Sequence, residues 1–131
     1  SNEMMSDLNR QKLMVASYLG GSAIAMSYVG LIHPLSASLT VALGIHHCLA
    51  NCIVMRGIQE YYPFEYEEFW SMAQKQNINI PEGVCKDFNE KQYEKLYSLT
   101  LMHEKPLLNA LGDEYKKKLT LEKVVKIFEK M

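Results

Sequence analysis

Charge is what this chain withholds from its most apolar stretch. Residues 13–55 contain no Lys, Arg, Asp or Glu, although charged residues make up 22% of the sequence. A large excess of either sign is also missing: the net charge is -1. That excludes the electrostatic footprint expected for a nucleic-acid or anionic-membrane binder. No segment alternates apolar and polar residues convincingly, and there is neither a repeat nor a low-complexity tract, so a sheet is not expected. Cysteine is scarce and odd in number, at three, with no secretory n-region or cleavage signal. This predicts reduced thiols and a cytoplasmic protein.

An uncharged stretch of this length would supply two membrane spans of ~20 residues, over 13–32 and 34–55. Its composition argues otherwise. Ser17, Ser22, Ser27, Ser36, Ser38, Thr40, Asn51 and three histidines interrupt it, and no aromatic belt flanks it. The expectation is therefore helices buried on all sides within protein, and no membrane. A chain of 131 residues has little material to bury them, so a missing domain or a homo-oligomer is expected to cover them.

In chain order, residues 1–3 read as a tag remnant and 4–131 as one helical domain. Residues 4–19 predict a helix that runs on through Gly20-Gly21, kinked there, until His33-Pro34 ends it. Pro34 suits the first turn of a short helix stopped by Gly44. A third helix is predicted from His46 or His47 to residue 62. Pro63 opens a fourth, and 77–86 is a loop around Pro81 and Gly83. Asp87 or Asn89 caps a fifth, with Tyr93, Leu96, Tyr97 and Thr100 on one face. Pro106 begins a short turn ending at Gly112. A last amphipathic helix carries Val124, Val125, Ile127 and Phe128 behind Thr120. The fold class is all-α, a helical bundle.

His33, His46 and His47 lie in the uncharged block with Cys48 and Cys52. An unpaired imidazole in an apolar setting costs on the order of 1–3 kcal/mol, so each needs a hydrogen-bond partner or a metal. His33 and His47 each fall at a helix junction, where side chains of different helices converge, and neutral imidazole ligates zinc or ferrous iron. Cys48 and Cys52, four residues apart, offer a second metal reading. Buried structural thiols are the commoner case.

The run GGSAIAMSYVGLIHPLSASLTVALGIHHCLANCIVM resembles the signature region of the iron-containing (group III) alcohol dehydrogenases. Gly30 and His33 match a small-residue helix running through Gly into a metal-ligating His. His47, Ala50 and Asn51 match a later metal-binding His that opens a helix continuing with Ala-Asn. Ala37 stands where the family usually has a second His near substrate or nicotinamide, and Cys48 stands where it has Gly. With LMHEKPLLNALG and the closing helix, the variant motif most resembles the 3-deoxy-octulosonate 8-oxidase branch, which acts on the terminal alcohol of an eight-carbon sugar acid.

The resemblance implies the C-terminal metal-binding domain of a two-domain, dehydroquinate-synthase-like enzyme, with a divalent metal (Fe2+ or Zn2+) held by His33 and His47. It implies an Asp and a further His as the remaining ligands, and NAD(P) bound mainly by an N-terminal α/β domain. Neither a Gly-rich phosphate loop after a strand nor an Asp-x-x-x-His motif precedes His33 here, so this chain is expected to be part of a longer enzyme and inactive alone. His103 and Lys105 are the next candidates, as a proton shuttle and as a partner for a sugar-acid carboxylate. His46 is expected to support the ligands from behind or to be structural. The rival expectation is a stand-alone helical oligomerisation or interaction module with structural histidines.

Overall fold

A computed structural model describes residues 6–131, and these form eight α-helices with no strand among them. The all-α expectation holds. The suspected tag residues and the expected start of the first helix at residue 4 lie outside the described residues.

The first helix, α1 (Asp7–Ser27), is capped by Ser6, whose Oγ accepts the Asn9 N–H at 3.3 Å. It runs unbroken through Gly20 and Gly21, because glycine weakens a helix by about 1 kcal/mol against Ala without removing a backbone bond. It ends at Tyr28, well short of His33. The Tyr28 backbone stands at φ 64°, ψ 178°, a region that essentially only glycine occupies without strain. No residue of α1 is buried, so this part of the uncharged block is not enclosed by the described residues of the chain itself.

The second helix, α2 (Ile32–Leu43), begins where an ending was expected. Pro34 is its third residue, and a missing N–H in the first turn costs nothing because that N–H has no partner inside the helix. Leu31, Leu35 and Leu39 follow at four-residue spacing and are fully buried, each contributing about 1.5–3 kcal/mol by leaving water. Gly44 ends α2 in the left-handed conformation, at φ 67°.

The third helix, α3 (His47–Val54), passes into a single 3-10 turn, Met55–Gly57, rather than reaching residue 62. Gly57 is pressed against the last helix: a Cβ there would lie 2.5 Å from the Ile127 carbonyl oxygen. Arg56 ties this turn down. Its guanidinium donates to the Ile80 and Pro81 carbonyls and lies 4.7 Å from the centre of the Trp70 ring.

After α4 (Pro63–Lys75) and the predicted loop, α5 (Glu90–Leu101) starts from a capping box in which Asn89 and Gln92 bond each other's backbone. Leu96 and Thr100 are buried on its inner face and Tyr93 and Tyr97 half-buried. Thr100 Oγ1 lies 3.2 Å from Ser38 Oγ, and both hydroxyls donate back to their own helices, so this seam between α2 and α5 is polar but satisfied. The segment read as a turn from Pro106 is a helix, α6 (Glu104–Leu111), followed by a short α7 (Tyr115–Lys118). Thr120 caps α8 (Leu121–Phe128), whose Val124, Ile127 and Phe128 close the core. α2 is the central element, packed on α3, α5 and α6.

Among the described residues no single helix is long and apolar enough to cross a membrane. α1 and α2 pass that test only as a pair bent by 109°.

Candidate functional site

Three histidines from distant parts of the sequence meet beside the core. His33 is the second residue of α2, His47 the first of α3, and His103 the residue immediately before α6. The His33 ring centre lies 5.3 Å from that of His47 and 5.5 Å from that of His103, edge-on in both cases. Each imidazole thus leaves the chain at a helix N-terminus, where unpaired N–H groups carry a partial positive charge. The starts of α2 and α6 have no side-chain cap. Such a place favours anionic ligands over cationic side chains.

The electrostatics agree. Burial, then the neighbouring His47 and His103, hold the His33 imidazole below its ordinary value of 6.5. At neutral pH its ring is uncharged and keeps a free lone pair, the form that binds metals or accepts a proton.

A groove of about 640 Å³ opens onto His33 and His47. The end of α1 and its connection to α2 supply an apolar wall through Ile24, Tyr28, Val29 and Ile32, and Asn51 of α3 adds an amide. The connection is held at two points. Asn109 of α6 donates from Nδ2 to the Ser27 and Val29 carbonyls, both at 3.2 Å. Tyr62 Oη accepts the Leu31 N–H at 3.3 Å, and a Cβ on Gly30 would lie only 2.9 Å from that oxygen. At Gly30, picked out by its motif position, a side chain would push the Tyr62 hydroxyl aside.

The expected ligands His33 and His47 are therefore together, and His103 joins them. Lys105 is exposed on the first turn of α6 and makes no ion pair with the described residues. His46 is exposed and structural: its Nδ1 accepts the Cys48 N–H at 3.3 Å and caps α3. Asn51 is part of the motif noted above, whereas nothing in the sequence marks Asn109 and Tyr62, because contacts across 31 to 82 positions leave no periodic signal.

A tetrahedral ion with metal–nitrogen bonds of about 2.1 Å holds the centres of two ligating imidazoles roughly 5 Å apart. The His33–His47 spacing meets that requirement, and imidazole donors suit zinc or ferrous iron. Among the described residues, however, no three His, Cys, Asp or Glu side chains form a group able to hold an ion. The fit is that of a ligand pair with a third imidazole alongside. No protein-family model matches the chain.

Proposed function

We propose that this chain is the metal-binding helical part of a cytoplasmic, metal-dependent alcohol dehydrogenase or oxidase of the iron-containing type. Its substrate is a primary alcohol, best matched by the terminal carbon of a sugar acid such as 3-deoxy-octulosonate. The observation that carries this reading is the 5.3 Å approach of His33 and His47 at the mouth of the groove, with His103 5.5 Å from His33.

In this reading His33 and His47 are two ligands, and the remaining ligands and the NAD(P) site belong to an N-terminal part of the enzyme. A bound Fe2+ or Zn2+ supplies Lewis acidity that lowers the proton affinity of the substrate hydroxyl. The chain's own residues do the rest. His33 stays neutral at neutral pH because of burial and its two neighbours. His103 exchanges the hydroxyl proton with solvent. The α2 and α6 N-termini favour the alkoxide and a sugar-acid carboxylate. Ile24, Val29 and Ile32 keep water from the carbinol carbon, and Lys105, exposed two residues beyond His103, meets a carboxylate at the rim.

Titration of this chain with Zn2+ and, without oxygen, Fe2+ tests the ligand assignment. Weak binding of one ion per chain is expected, reduced at least tenfold in His33→Ala and in His47→Ala. Binding that survives the double substitution sinks it. The rival reading, an oligomerisation module with structural histidines, is favoured by the absence of any buried residue on α1. A stable metal-free oligomer that dissociates when α1 apolar residues are replaced by Glu, with no metal bound by any form, would establish that rival instead.

A further inference from the structure

Cys48 and Cys52 occupy one face of α3, four residues apart, both as free thiols, the first exposed and the second half-buried. Residues so spaced on a helix are neighbours, with Cβ atoms about 5–6 Å apart. A disulfide needs about 3.8 Å between those atoms, so the helix must distort before these thiols can oxidise to one another. One atom inserted between the sulfurs removes the mismatch: two thiolate–metal bonds of roughly 2.3 Å span up to about 4.6 Å. Ala50, Ile53 and Val54 anchor α3 in the core, so the scaffold presenting the pair is fixed. Cys48 is one residue beyond His47 and turned about 100° from it around the helix axis, so the dithiol and the imidazole pair are separate donor sets.

We propose that Cys48 and Cys52 are a soft-metal site on α3, taking a two-coordinate thiophilic cation of the Cu(I) class. Thiolates take both Cu(I) and zinc, but structural zinc demands four ligands, so two thiolates without further donors suit the two-coordinate ion. Binding exchanges two S–H bonds for two S–Cu bonds and releases two protons, leaving copper as Cu(I) with no electron transferred. The assignment is independent of the alcohol-oxidising reading.

The test is an oxygen-free titration of the whole chain with Cu(I) against a chromophoric Cu(I) chelator, with released protons counted in weak buffer. One Cu(I) per chain and about two protons are expected. Affinity should fall at least 100-fold in Cys48→Ser and equally in Cys52→Ser, with the helical circular dichroism kept. The double variant His33→Ala, His47→Ala should bind Cu(I) as the parent does. Either single Ser variant retaining parental affinity overturns the proposal. So does loss of binding in the His double variant, or uptake of two ions per chain with one lost in each Ser variant, which would mean independent thiols.

Discussion

α2 and most of α1 come from the same uncharged block and end differently. α1 leaves Tyr18 75% and Met26 89% exposed, while Leu35 and Leu39 of α2 are fully enclosed. Composition separates them in part: the first turns of α1 carry Asp7, Arg10 and Lys12, whereas α2 holds no charge. They differ also in what each meets: α2 lies against α3, α5 and α6, whereas no α1 side chain is buried. A helix that is apolar all round is stable in water only when surrounded, and the residues that surround α2 are supplied later in this chain, on α3, α5 and α6.

Four experiments press on that contrast. The largest expected effect is in the core. Leu39→Ala should cost about 2–5 kcal/mol in urea unfolding, while Val15→Ala on α1 should stay within about 0.5 kcal/mol. Equal losses would mean that α1 is covered in solution. Next comes a pair of glycines. Gly57→Ala drives a methyl into the Ile127 backbone and should cost about 1–3 kcal/mol. Gly20→Ala meets nothing within 4 Å and should leave stability unchanged or raise it by up to about 1 kcal/mol. A destabilising Gly20→Ala would show close packing against that face.

At the joint between the two helices, Tyr28→Gly removes the strain of a non-glycine residue at φ 64°. It should stabilise the fold by about 1 kcal/mol; a loss instead would show that the Tyr28 side chain contributes more at the groove than its backbone strain costs. The smallest effect is that of pH. Because the folded His33 imidazole lies below its ordinary 6.5, the metal-free protein keeps its full stability above that pH. It loses some as pH falls through 6.5, where the unfolded chain takes up a proton first, and the loss levels off below the folded value. His33→Gln should flatten that dependence in unfolding curves measured across the same range.

Much of the bundle was legible locally. Asn89 and Thr120 are caps as read, Gly44 stops α2, residues 77–86 are a loop, and Leu96 and Thr100 face inward. The failures cluster at junctions. The expected end of the first helix at His33-Pro34 falls instead at Ser27, while Pro34 does lie in the first turn of the next helix, as expected. A helix carried to residue 62 ignored Gly57, whose need to touch α8 is a contact across 70 positions. Within the site, His33 and His47 were legible from their junction positions and motif spacing. That His103 approaches His33 was not, since the two stand 70 positions apart.

By itself the sequence determined the all-α class, most helix caps and which residue types bring chemistry to the uncharged block, because caps, periodicity and side-chain donors are properties of short segments. Only the tertiary structure decided which apolar helix is enclosed, that three helix N-termini converge on one cluster of imidazoles, and that the α1 end walls the groove beside them. Those outcomes depend on pairing faces and termini distant in sequence, and no local pattern records which distant partner a face will meet.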